Sequence, residues 1–217
     1  MAAVDRIQVL LRASRLVSEE YQPHFLLTNE KIRSLRELSY IEQWEKSIAE
    51  KLFNVRLADH SLVVFQESDS SCSYSYLHSP INVPTFEKFL LAKDLENSAR
   101  NRDEFRDDFE LAIISADRKE NITPIRYDYD PQGYNKGSHP IGHIHIGLDN
   151  QVRIGFNRKM NKVSFLLFLI RQMYPENWRL LIEHREADNL NKYLRSECTS
   201  IDKDFWSELD SLEHHLT

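Results

Sequence analysis

The sequence predicts an α+β protein in which an antiparallel β-sheet is packed by helices from its N- and C-terminal segments. Three observations predict it. Apolar residues recur every three or four positions near both ends of the chain, whereas the middle alternates with period two. The alternating segments are separated by turn-forming clusters such as DPQGYNKGSHP and GLDNQ. The chain runs helices, then sheet, then helices, which is the pattern of an α+β domain. At 217 residues the length suits a single domain: a helical part (1–58), a mainly sheet part (59–160) and C-terminal helices (161–217).

In chain order, Val4, Ile7, Leu10 and Leu11 share one face of a helix over 4–18. Leu38, Ile41, Trp44, Ile48 and Leu52 do the same over 38–53. SLVVFQES (61–68) reads as a strand, and SCSYSYL (71–77) alternates strictly, with Cys72, Tyr74 and Tyr76 on one face. Thr85 after Pro84 is an N-cap for a helix to Leu91. The charge-dense segment 95–109 is a solvated helix or loop. FELAIISA (109–116), PIRYDYD (124–130), GHIHIG (142–147) and VRIGFN (152–157) read as four further strands. VSFLLFLIRQMY (163–174) is an apolar helix lying on the sheet. Asp202 to His214 forms a last amphipathic helix with Phe205, Trp206, Leu209 and Leu212 inward.

Bulk properties narrow the function classes. The longest apolar run, Val163 to Ile170, is too short to cross a membrane, and the N-terminus reads as an amphipathic helix, not a signal peptide. Two distant cysteines, Cys72 and Cys198, support neither a zinc ribbon nor a disulfide framework, so a reducing, cytoplasmic setting is expected. A net charge of −6 disfavours gripping long nucleic acid by its phosphates but leaves room for a local basic pocket. No P-loop, GxGxxG, GxSxG or kinase signature is present. Cys72, without a basic partner, reads as a small core residue, and Phe65, Tyr74 and Tyr76 as core aromatics more than base-stacking platforms. His184 reads as a surface helix residue, Trp178 as packing the turn after the long helix, and His214 and His215 as C-terminal helix cations.

The chemistry concentrates in three strands. Residues two apart share a face, so Arg126 with Asp128, His143 with His145, and Arg153 each stand opposite an apolar set. If the strands are neighbours, these five groups meet on one side of the sheet, with His143 and His145 about 6–7 Å apart at Cα. His139, Tyr134 and Lys136 lie on the preceding loop. Three readings remain open. A divalent metal such as zinc could sit on His139, His143 and His145, with Asp128 as a ligand or as the group orienting a ring. Alternatively, His143, His145 and His139 act as metal-free acid and base with Asp128. Arg126, Arg153, Lys136 and Tyr134 would then hold a phosphate, a set suited to RNA cleavage through its own 2′-hydroxyl. The third reading is a satisfied polar layer with no chemistry.

The run IRYDYDP…HPIGHIHIG…VRIGFN, followed by an apolar helix ending in QMYP, resembles the bacterial domain-of-unknown-function family 2290. Its members carry an RxDYDP-like strand, an HPxxHxHIG turn and strand, then an arginine-containing strand and a helix. Arg126, Asp128, Pro131, His139, Pro140, His143, His145, Gly147 and Arg153 match across about residues 110–175. The family has no established activity. Its members tend to lie near bacterial mobile-element and antiviral gene clusters, so the resemblance implies a defence setting. A looser likeness is to small bacterial ribonuclease toxins, with an RYD strand before an HHxH strand; this chain is longer, with extra helices on both sides. The expectation is a ribonuclease or nuclease-like enzyme of a prokaryotic defence system. The alternative is a non-catalytic subunit of a multi-protein defence complex, whose helices bind other protein subunits.

Overall fold

The computed structural model describes residues 5–16, 20–148, 152–183 and 198–212. Helix α1 (Arg6–Ala13) begins where the Asp5 carboxylate accepts the backbone N–H groups of Ile7 and Gln8. It buries Ile7, Leu10 and Leu11, as the periodicity predicts; Val4, Val17 and Ser18 lie outside the described residues. Helix α2 (Asn29–Arg36), capped by Thr28, was not anticipated and buries no residue. Helix α3 (Tyr40–Ala49) opens with a Ser39/Glu42 capping box and buries Trp44. Leu38 precedes that helix and Leu52 follows it, although Leu52 is buried.

The central sheet contains β1 (Val55–Arg56), β2 (Leu62–Glu67), β3 (Cys72–Leu77), β4 (Ile125–Tyr129), β5 (Gly142–Ile146) and β6 (Val152–Phe156). The strands pair antiparallel in the order β1-β2-β3-β4-β5-β6. The fold is therefore α+β with an antiparallel sheet, as the sequence predicts. A short ribbon of β7 (Arg158–Lys159) and β8 (Thr199–Ser200) stands apart.

One sheet face is apolar and the other polar. Tyr74, Tyr76, Ile125, Tyr127, Ile144 and Phe156 point to the apolar side, where α1 and α7 (Lys162–Met173) cover them. Helix α7 is apolar nearly all round. It buries Phe165, Leu166, Leu167, Leu169 and Ile170, each contributing about 1.5–3 kcal/mol on removal from water. Its start is fixed by Asn161, which accepts from the Ser164 N–H, while the Ser164 hydroxyl accepts from the Asn161 N–H. Helix α8 (Pro175–Leu181) follows with Pro175 in its first turn, where the missing N–H costs nothing; Trp178 packs against the core.

Two expectations are corrected. FELAIISA is not a strand. Helices α4 (Phe86–Leu91) and α5 (Ala99–Glu104) lead into α6 (Arg106–Ile114), which occupies that segment. Asp107 and Asp108 complement the positive end of the helix dipole, and Glu110, Leu111 and Ala112 are strong helix formers. One aromatic fixes the helix: Phe109 is buried and stacks on Phe86 with ring centroids 4.3 Å apart. The second correction concerns 202–214. The described part forms two single 3-10 turns, Lys203–Phe205 and Asp210–Leu212, and Leu209 is exposed. Asp202, Ser207 and Asp210 turn their side chains onto nearby backbone N–H groups, which competes with helix formation. Residues 213 and 214 lie outside the described set, as do His184 and His215.

Candidate active site

The register assembles the polar face in two rows. Ser75, Arg126, His145 and Arg153 are successive cross-strand partners. Ser73, Asp128, His143 and Gly155 form the second row. Gly155 places no side chain beside His143. The five charged and imidazole groups expected to meet do meet, on β4, β5 and β6.

Asp128 is the hub. Its Oδ1 accepts from the Ser73 hydroxyl at 2.7 Å and its Oδ2 from Arg126 Nε at 2.7 Å. The same Oδ2 lies 3.5 Å from His145 Nε2 and 4.0 Å from His143 Nε2. The two imidazole Nε2 atoms are 3.0 Å apart. His143 Nδ1 is 2.8 Å from the Pro140 carbonyl. A carbonyl can only accept, so Nδ1 carries the proton and the Nε2 lone pair of a neutral His143 faces His145 and Asp128. Burial pushes His143 down to about 4, against the opposing pulls of the Pro140 hydrogen bond and the Asp128 charge. The imidazole is therefore neutral at neutral pH.

These atoms floor a cleft of about 700 Å³. His143 and His145 are 1% and 4% exposed, so only ring edges meet the cavity. Arg126 and Arg153 line the same side, and His139 packs its ring on His143 with centroids 4.7 Å apart. His139 Nδ1 is buried and makes no hydrogen bond among the described residues. The opposite wall comes from the segment leading into α2 and from α2 itself, through Leu26, Asn29, Ile32 and Arg36. Sequence reasoning missed this wall and Ser73. The signals were present, in Thr28 as an N-cap with Glu30 in the first turn and in the serine face of SCSYSYL.

Tyr134 and Lys136 are not brought to the cleft. The Tyr134 hydroxyl donates to Asp210 Oδ2 at 2.9 Å and its ring packs on Phe205; Lys136 points to solvent. Asp210 is fully buried and also accepts from the Gly137 N–H, the Ser207 N–H and the Ser207 hydroxyl. Gly137 sits at φ 71°, a left-handed conformation that glycine adopts without strain. Asp210 thus clamps the loop that carries His139. Arg153 adds a second tie, donating from Nη1 to the Ser138 carbonyl at 3.4 Å.

Among the described residues, Asp128, His143 and His145 form a group of three metal-ligand atoms lying within 4.8 Å of one another. His139 is outside it, so the geometry differs from a three-histidine set. No described helix is long and apolar enough to cross a membrane.

The fold and site define an α+β protein with a two-histidine, one-carboxylate group at the floor of an arginine-lined cleft. Residues 14–210 match the family described as "Uncharacterized conserved protein (DUF2290)", and the chain belongs to it. No curated protein and no solved structure matches significantly.

Proposed function

We propose that the chain is a nuclease-class phosphodiester hydrolase, of the kind found in prokaryotic defence systems, in which Asp128, His143 and His145 hold a divalent cation such as zinc. The convergence of Asp128 Oδ2 and the two Nε2 atoms on one point of the cleft floor carries this reading. In the cation-free chain the His145 Nε2–H donates to His143 Nε2 at 3.0 Å; loss of that proton leaves two lone pairs and a carboxylate oxygen directed at one cation. The donor set of two imidazoles and a carboxylate, with space for a further ligand, is that of a catalytic centre more than a closed structural one. The Pro140 carbonyl supplies the outer hydrogen bond that fixes a ligating imidazole in one tautomer. Ser73 and Arg126 likewise hold the carboxylate in place.

A bound cation supplies Lewis-acid polarisation of a phosphoryl oxygen and lowers the pKa of a coordinated water. The chain's own residues do the rest. Arg126 and Arg153 set guanidinium charge where the non-bridging oxygens gain negative charge. His139, beside the cluster but outside it, is placed to pass a proton to the departing oxygen as water adds to phosphorus and the P–O ester bond breaks.

The test is hydrolysis of bis(4-nitrophenyl) phosphate, a substrate without bases, with zinc, manganese or magnesium added after chelation. The expected result is cation-dependent turnover that the chelator abolishes. Turnover unaffected by the chelator would overturn the metal and return His143 and His145 to direct acid–base roles. No turnover with any of the three ions would overturn the enzyme.

A second reading rests on a separate observation. Leu91, Leu111 and Ile114 expose 68%, 63% and 81% of their surface on α4 and α6. Large apolar side chains at this exposure favour a further protein subunit in a complex, consistent with the same defence setting.

A further inference from the structure

The two walls of the cleft differ in chemistry, and the difference bears on the substrate. The sheet wall is polar, with serine hydroxyls at 68, 71 and 73, the three catalytic ligands and two guanidiniums. The facing wall is apolar at Leu26 and Ile32 and cationic at Arg36. Helix α2 buries none of its residues, so Ile32 turns toward the cavity and not into a core. Leu26 is 61% exposed beside it. Gln66 on β2 also lines the cavity.

From these features we infer that the cleft takes a single-stranded nucleic-acid chain, one or two nucleotides at a time, with a base against Leu26 and Ile32 and its phosphate between Arg36, Arg126 and Arg153. This rests on the phosphodiesterase reading and specifies its substrate. The ligand must be amphipathic, since the site offers an apolar plate facing a hydrogen-bonding, cationic floor. Size points the same way. A volume of about 700 Å³ falls in the range that encloses a small molecule or a few residues of polymer. In a duplex the bases are paired and stacked inside, so no base face is free to lie on Leu26 and Ile32. The chain's charge of −6 provides no extended basic track for a long helix either. Recognition is therefore local, and one or two neutralised phosphates give a shallow salt dependence. At about −0.7 per phosphate for single strands, log Kd changes by roughly 0.7 to 1.4 per decade of salt.

Fluorescence anisotropy with a labelled hexanucleotide, single-stranded or annealed to its complement, tests the inference on the intact chain in the presence of chelator. The single strand is expected to bind at least tenfold tighter than the duplex. Ile32→Glu and Arg36→Glu are each expected to weaken binding at least tenfold while leaving the thermal melt, and zinc uptake titrated separately without chelator, unchanged, which shows that the fold survives. Equal affinity for the two forms, a salt slope steeper than that of five phosphates, or unchanged binding by Ile32→Glu would overturn it. Hydrolysis of bis(4-nitrophenyl) phosphate without any hexanucleotide binding would overturn the substrate assignment and leave the phosphodiesterase reading standing.

Discussion

Asp128→Asn is expected to lower divalent-cation affinity at least about 100-fold and to remove cation-dependent phosphodiester hydrolysis, while the chain stays folded. The substitution keeps the shape and an oxygen for the Ser73 hydroxyl but removes the charge that Arg126 and the two imidazoles face. Loss of groups that only orient a ligand costs about 10–100-fold in affinity, and loss of a charged ligand costs at least as much. Arg126 is partly solvated, so the guanidinium left behind is hydrated and the stability cost stays near 1–2 kcal/mol. Calorimetric titration with zinc or manganese and a thermal melt separate the two effects. Wild-type affinity in Asp128→Asn would remove the carboxylate from the site. A collapsed melt with no site-specific loss would support a purely structural polar layer.

Asn54→Ala is expected to destabilise the chain by about 4 kcal/mol. The Asn54 side chain is 2% exposed and makes three hydrogen bonds. Its Nδ2 donates to the Gln22 and Phe25 carbonyls, and its Oδ1 accepts from the Phe65 N–H at 2.7 Å. Alanine leaves all three backbone groups without that partner, and each costs about 1–3 kcal/mol when it stays buried. These bonds tie the segment leading into α2, and hence Leu26 and the apolar wall of the cleft, to the sheet. At about 2–4 °C per kcal/mol for a chain of this size, the melting temperature should fall by roughly 8–16 °C. A shift below about 2 °C would show that the wall is held by other contacts, with the packing of Phe25 and Leu27 near Trp44 and Phe53 the first to examine.

The legible parts of the sequence were those where a single periodicity dominated. Cys72, Tyr74 and Tyr76 alternate with serines because only one face of β3 is buried, and α7 is apolar enough to be read as covering a sheet. Strand alternation also placed Arg126, Asp128, His143, His145 and Arg153 together, since side-chain direction in a strand follows from position alone. Local patterns failed where side chains compete with the backbone or where one contact decides. The segment around Phe109 mixes β-branched and helix-forming residues, and its helical state rests on a stacking partner 23 positions earlier. The region after Ser200 has helical spacing, but Asp210 draws four donors into a compact turn. That clamp also explains why Tyr134, a reasonable phosphate-binding candidate from its loop position, faces away from the cleft. Helix α2 was missed because it has no buried face to leave an apolar stripe, which is also why its Ile32 is free to line a cavity.

On the proposed reading, Asp128, His143 and His145 together hold one cation. Anomalous diffraction from crystals grown with zinc tests it most directly. The expected map has one peak per chain at the cleft floor, about 2.0–2.2 Å from Asp128 Oδ2 and from the Nε2 atoms of His143 and His145. A map with no peak there, and the two Nε2 atoms still 3.0 Å apart in a direct hydrogen bond, would contradict it.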